Sequence, residues 1–239
     1  MNKENILFAV VGLLAGLIIG FMGANYINKN AVPPGAVAAN PLGLPQDHPG
    51  VPGQPGQPGA ASMQDVQSAI EAANKDPNDF NAQVRAGELH YQIQRFDDAV
   101  KYYTQANKIK PDDFATIVNL GNANFDASKF EEAEKWYTRG LELKPDDVSV
   151  RTDMGLTYIF RPSPDYDKAI AEFTRSLEID PKHPQTLQNL VVAYTKKGDA
   201  QNAAATLTRL EQADPGNQAI PKLKEEIGKT GQTTAPQTP

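Results

Sequence analysis

Residues 121–145 read GNANFDASKFEEAEKWYTRGLELKP, and this pattern occurs more than once in the chain. Its closing residue, Pro145, is one of five prolines (Pro77, Pro111, Pro145, Pro181, Pro215) spaced 34, 34, 36 and 34 residues apart. A fixed period of this size marks a stacked repeat array. Each proline follows a stretch of helical periodicity, which it ends because it lacks an N–H and its ring clashes with the preceding turn. Behind it comes an Asp or Asn able to cap the next helix (Asn78/Asp79, Asp112/Asp113, Asp146/Asp147, Asn217), whereas Pro181 leads to Lys182 and His183.

Working outward from residues 121–145, Gly121 has counterparts in Gly87 and Gly155, each ten residues after a proline, and Val191 holds the place in the fourth unit. A missing side chain there lets the two helices of a unit approach closely. Ala99, Ala133, Ala169 and Ala203 recur further along, followed four residues later by Tyr103, Tyr137, Phe173 and Leu207. Phe96, Phe130 and Tyr166 open each second helix, with Ala200 in the fourth unit.

The segments GELHYQIQRFDDAVKYYTQANKIKP (87–111), 121–145 and GLTYIFRPSPDYDKAIAEFTRSLEIDP (155–181) together resemble the tetratricopeptide repeat family. They carry its G-x2-Y, A-x3-F/Y and closing-proline pattern, over residues 63–228 or so. The departures are Gln83, Ile117, Arg151 and Leu187 where the family has Trp, and His90 and Asn124 where it has Tyr. The resemblance implies an all-α superhelical solenoid of four repeats, about 78–111, 112–145, 146–181 and 182–215. A helix over Met63–Lys75 precedes them, and a capping helix over Gln218–Ile227 follows, polar on one side. Residues 229–239 show no apolar periodicity and are expected to be a disordered tail. The two extra residues of the third repeat fall in Arg161–Tyr166, where Pro162 and Pro164 stiffen a surface bump crossed by no core contact.

Residues 1–30 read differently. Ile6–Asn28 is uncharged and predominantly apolar, long enough at about 1.5 Å per residue to cross the roughly 30 Å hydrocarbon layer. Tyr26 sits at its exit. The competing reading is a cleaved signal peptide, but Phe21 and Met22 occupy the places a cleavage site needs, and Ala36-Val37-Ala38 lies far downstream. Lys29 is followed by no Lys or Arg until Lys75, a stretch easily translocated, so the N-terminus is expected inside and the repeats extracytoplasmic or periplasmic. The alternative has the repeats facing the cytosol. Gly12, Gly16 and Gly20 fall on one helix stripe, suited to association with another membrane helix. Residues 31–62 are dense in Pro and Gly and read as a tether, of roughly 100 Å if fully polyproline-like.

Composition excludes several functions. The net charge of −6, with both signs interspersed, does not suit a nucleic-acid binder. With no cysteine there is no disulfide, zinc thiolate site or acylated lipoprotein cysteine. His48, His90 and His183 lie in separate segments without paired metal-ligand spacing, and no phosphate-loop, dinucleotide or nucleophile-elbow motif is present. Glu131, Glu132 and Glu134 read as a solvated face pairing with Lys135 and Arg139. No catalytic residue, cofactor or metal is expected.

Family geometry implies a groove lined by first helices, at positions four, seven, eleven and fourteen after each proline. These are Asn81, Val84, Glu88 and Tyr91; Ala115, Val118, Asn122 and Phe125, with Asn119 beside them; Ser149, Thr152, Leu156 and Ile159; and Gln185, Gln188, Val192 and Thr195. Tyr91, Phe125 and Ile159 would form an apolar rail, and Asn119 and Asn122 could hydrogen-bond a peptide backbone. Val84, Ser149 and Asp153 hold the places where relatives that clamp an acidic C-terminus carry Lys and Arg, so that ligand is not expected. The function expected is a membrane-tethered scaffold or chaperone-like adaptor binding a peptide or helix of a partner protein in envelope complex assembly. The alternative is a self-oligomerising structural component without a client groove.

Overall fold

The computed structural model describes residues 62–233. The apolar run Ile6–Asn28, the Gly12/Gly16/Gly20 stripe and the Pro/Gly-rich stretch all lie outside the described residues, as do residues 234–239. The described residues form ten helices and no strand: α1 (Met63–Lys75), α2 (Phe80–Gln92), α3 (Phe96–Ile109), α4 (Phe114–Asp126), α5 (Phe130–Leu143), α6 (Val148–Phe160), α7 (Tyr166–Ile179), α8 (Pro184–Lys197), α9 (Ala200–Ala213) and α10 (Ile220–Thr233). None is long and apolar enough to cross a membrane. Each helix packs on its neighbours in the chain, and the short turns make successive helices antiparallel. The first helices of successive pairs also touch: α4 with α6, α6 with α8, and α8 with α10.

The joints between pairs follow from the proline and the acid behind it. Asp79 accepts from the amides of Asn81 (2.9 Å) and Ala82 (3.1 Å), Asp113 from Thr116 (2.9 Å) and Asp147 from Val150 (3.0 Å). Each such cap is worth about 1 kcal/mol. At the fourth joint His183 takes the role, its Nδ1 accepting from Thr186 N at 3.4 Å. The proline carbonyls are met by long side chains: Gln105 donates to Pro77 O (3.0 Å), Arg151 to Pro145 O (2.7 Å) and Arg209 to Pro181 O (3.2 Å).

Within a pair, the glycine makes room for a ring. A Cβ on Gly87 would lie 2.6 Å from Tyr103 Cε1, on Gly121 2.4 Å from Tyr137 Cε1, and on Gly155 2.5 Å from Phe173 Cε1. All three rings are fully buried. In the fourth repeat the equivalents are Val191 and Leu207, so bulk moves from the outer helix to the inner one. The corner between helices is turned by a residue in the left-handed region: Gln94 (φ 60°), Ser128 (φ 60°) and Gly198 (φ 89°).

The third repeat lengthens that corner instead, and here the expectation of an uninvolved bump is corrected. Arg161 reaches back to Glu134 of α5 (2.8 Å), which also accepts from the Tyr158 hydroxyl (2.8 Å). Asp165 N donates to Tyr158 O (2.9 Å), and the Asp165 carboxylate caps α7. The loop is therefore pinned to the preceding repeat. The C-terminal end also differs from expectation: α10 starts at Ile220 and runs to Thr233, past Ile227 and into the stretch expected to be a disordered tail. The pair Lys229–Glu225 (2.6 Å) and the bond from Thr230 Oγ1 to Glu226 O (3.1 Å) extend it by another turn.

His90 is 3% exposed, stacked on Tyr102 (centroids 5.2 Å apart), and neither ring nitrogen has a hydrogen-bond partner. Burial pushes its pKa below the ordinary histidine range, the Asp98 carboxylate 3.8 Å away offsetting this only in part.

Gly121→Ala is expected to destabilise the array by about 1–3 kcal/mol, since a buried ring must move. Gly140→Ala should be neutral or stabilising by up to about 1 kcal/mol, because its nearest neighbour, Val150 Cγ1, would stand at 3.4 Å. Urea titrations of both variants check the opposite signs. For His90 the unfolded state takes up its proton near pH 6.5 while the folded state resists. Stability should fall as pH drops below about 6.5, and thermal melts of His90→Asn should lose that part of the pH dependence.

Candidate protein-binding face on the first helices

The residues expected to line a groove divide into two sets. On α2, Asn81 is exposed and Val84, Glu88 and Tyr91 are half-buried; on α4, Phe125 is half-buried. Val118, Asn119, Asn122, Thr152, Leu156, Ile159, Gln188 and Val192 are buried. Their availability to a partner is corrected by this burial. Its cause is that first helices pack on each other, and these positions are spent on that contact. Thr152 Oγ1 lies 2.6 Å from Thr186 Oγ1, one repeat on, and Val192 belongs to the same apolar core as Ile220 and Leu223 of α10. Asn122, 2% exposed, accepts a hydrogen bond from the Tyr137 hydroxyl (2.9 Å) rather than facing a peptide.

The apolar rail is likewise rearranged. Tyr91 donates its hydroxyl to the Asp126 carboxylate, tying the first repeat to the second. Phe125 meets Phe130 and Phe160 edge-on, with centroids 5.4 and 5.5 Å apart. Phe160, not Ile159, is the third repeat's member of this half-buried aromatic cluster. It escaped the periodic reading because it stands one residue beyond the position of Tyr91 and Phe125, at the lengthened corner.

Electrostatics set α2 apart. Loss of water around Glu88 raises its carboxyl above the ordinary range, with Arg85 at 3.7 Å offsetting part of the effect. Burial raises the Tyr103 phenol, with the Glu88 charge adding to it. Tyr91 and Tyr137 are raised by burial and by the Asp126 and Asp153 carboxylates. The open part of this face therefore carries acidic and phenolic groups.

The outer face offers little chemistry. Among the described residues no cluster of three His, Cys, Asp or Glu could hold a metal. Glu134 is not part of a purely solvated run, since Arg161 and Tyr158 bind it. Arg139 pairs with Asp112 (2.5 Å) and Glu142 (2.8 Å), and Lys135 with Glu132 (3.6 Å). A depression of about 580 Å³ bounded by Glu131, Glu134, Lys135, Thr138, Arg139 and Glu142 is a surface of mixed charge.

Sequence models of the tetratricopeptide repeat match residues 94–152 and 164–227, and a second such model matches 62–114. No curated protein matches the chain. Several solved structures share the fold. PilW, described as a widely conserved type IV pilus biogenesis factor, is 21% identical over 72% of this chain and 80% of its own (TM-score 0.60). YrrB, described as having an unusual peptide-binding site, is 19% identical over 67% and 81% (TM-score 0.58). MamA from Desulfovibrio magneticus RS-1 is 18% identical over 64% and 85% (TM-score 0.58). With the period, the ring-on-glycine contact and the stacked pairs in place, the chain belongs to the tetratricopeptide repeat family.

Proposed function

We propose that this protein is a membrane-tethered interaction scaffold or adaptor, which binds a segment of a partner protein along the face formed by its first helices. The observation that carries this reading is the open stretch of that face on α2, where Asn81, Val84, Glu88 and Tyr91 keep contact with solvent, with Phe125 on α4 beyond them. Both ends of the array are mostly polar, exposed Met63 at the start of α1 being the exception. Gln64, Gln67, Glu71, Asn74 and Lys75 are exposed on α1, and Lys222, Lys224 and Glu225 on α10. Such ends favour a closed binding module over a component that self-stacks end to end. The description of YrrB as a peptide-binding protein of the same fold, and of PilW as a biogenesis factor, agrees with this role.

Tethering rests on the apolar run Ile6–Asn28, with Gly12, Gly16 and Gly20 offering a packing stripe and residues 31–62 the reach. The repeats then face the extracytoplasmic side, where the partner is an envelope protein. No catalysis is assigned to the chain.

A photocrosslinking amino acid in place of Val84 should capture a defined partner in cells, and one in place of Lys101, on α3, should not. Equal yields from both positions would remove the groove reading. Because the chain has no cysteine, Ser163→Cys provides a unique label on an exposed loop. A membrane-impermeant maleimide should modify it without lysis of the inner membrane, and protection until lysis would reverse the orientation.

A further inference from the structure

The second helices of the first three repeats open with an aromatic residue on the same edge of the array: Phe96 on α3, Phe130 on α5 and Tyr166 on α7, all half-buried. The first helices end on that edge and bring Tyr91, Phe125 and Phe160, also half-buried. Tyr91 meets Phe96 edge-on with centroids 5.4 Å apart, and Phe130 lies nearly parallel to Phe160 at 6.4 Å. Phe125 touches both of the latter rings. Together these side chains make a ledge of partly uncovered rings. Because α1 packs as a second helix does, its first residue, Met63, holds the place of Phe96, and this side chain is 71% exposed.

The stretch of chain before Ser62 suits this ledge. Residues 42–61 read LGLPQDHPGVPGQPGQPGAA, with Pro49, Pro52, Pro55 and Pro58 three residues apart and no Lys or Arg. Three residues make one turn of a polyproline helix, so these four rings would fall in one line, about 9 Å apart. Packed helices follow one another at about 8–10 Å. The two steps agree, and grooves lined by aromatic side chains are what proline-rich segments dock into. The point of attachment fits as well. α1 is antiparallel to α2, which sets Ser62 beside the end of α2 that carries Tyr91. From Pro58 to Pro49 a polyproline strand covers roughly 28 Å, enough to pass from α1 to the helices that carry Phe125 and Phe130. Proline presets φ, which lowers the entropy lost on docking, and attachment through so few residues gives a local concentration of about 1 mM.

We propose that residues 42–61 dock in cis on this ledge as a polyproline strand, and that a partner must displace them. The docking stands on the ledge and the proline spacing alone. The displacement rests on the reading of the first-helix face as the partner's site, since Tyr91 and Phe125 belong to both.

The test uses the full chain in detergent micelles, with a benzophenone amino acid in place of Gln54 and equal parts of unlabelled and ¹⁵N-labelled protein. After irradiation, mass spectrometry should find adducts within residues 91–96 or 125–130, each joining segments of one isotope. Pro49→Ser, Pro52→Ser, Pro55→Ser and Pro58→Ser combined leave every helix untouched and should remove most of that yield. The synthetic 42–61 peptide should bind this serine variant with a Kd of about 0.1 mM or tighter, which fills the tethered site to about nine-tenths. Adducts of mixed isotope assign the ledge to a second copy and overturn docking in cis. Adducts elsewhere, or a yield indifferent to the serines, overturn it too. In cells, a photocrosslinker in place of Val84 should capture roughly tenfold more partner in the serine variant, because only about a tenth of the parent is open. Equal capture overturns the displacement while the docking stands. No capture from either form removes the partner face itself, and the isotope result still decides the docking.

Discussion

The contact on which the array depends is an aromatic ring lying where a side chain would otherwise be. Tyr103, Tyr137 and Phe173 each cover a glycine on the facing helix, at distances no Cβ tolerates. This sets how closely the two helices of a pair approach and fixes their rotation, because only one face of the inner helix is smooth. It also directs the para position of the ring toward the next residue of that helix. Everything placed at that residue, whether Glu88, Asn122, Leu156 or Val192, is answerable to what the ring carries. A repeat whose ring shrinks can accept a side chain in return, as Leu207 and Val191 do. Stability here is collective, since no pair covers its own apolar surface until the next one stacks on it.

The joints solve a different problem. Where one pair hands over to the next, the backbone leaves helix and exposes donors and carbonyls that must be satisfied. The acids behind the prolines serve the donors, and side chains of Gln105, Arg151 and Arg209 serve the proline carbonyls. Arg151 also meets Glu172 at 3.1 Å in a partly buried pair, so one guanidinium binds both a joint and the outer helix of its own repeat. Lys110 over Phe80 (4.0 Å) and Lys144 over Phe114 (3.8 Å) repeat one further contact at successive joints. These are local devices, repeated because the geometry is repeated.

That distinction explains what was legible in the sequence. The period, the pairs and the caps at Asp79, Asp113 and Asp147 depend on neighbours a few residues apart, and residue type and spacing reveal them. His183 as a cap was not marked, since its role depends on ring orientation toward Thr186 rather than on a carboxylate. The Arg161 contact to Glu134 spans 27 residues and follows from a two-residue insertion whose path spacing does not specify. The groove positions failed for a related reason. Spacing gives the direction in which a side chain leaves its helix, not what stands over it. Leu156 and Val192 leave their helices in the same direction as Glu88, whose side chain is 24% exposed, yet they are 1% and 0% exposed. What covers them is the next first helix, or α10, and that depends on how tightly the pairs nest.

A gradient along the array connects these observations to the function proposed. At the position paired with the ring the repeats turn apolar toward the C-terminus, Phe173 with Leu156 and then Leu207 with Val192, while polar residues such as Thr186 and Asn189 stay buried elsewhere in the fourth repeat, and α10 closes over α8. Toward the N-terminus the same positions are polar, Tyr137 with Asn122 and Tyr103 with Glu88, and the last of these is left incomplete. No first helix precedes α2 among the described residues, because α1 packs as a second helix does. On its N-terminal side the face of α2 has no first helix beside it among the described residues, while Tyr91 holds its other side to Asp126 of α4. The Tyr103 phenol, wholly buried and without a hydrogen-bond partner, is a cost to the fold at this position.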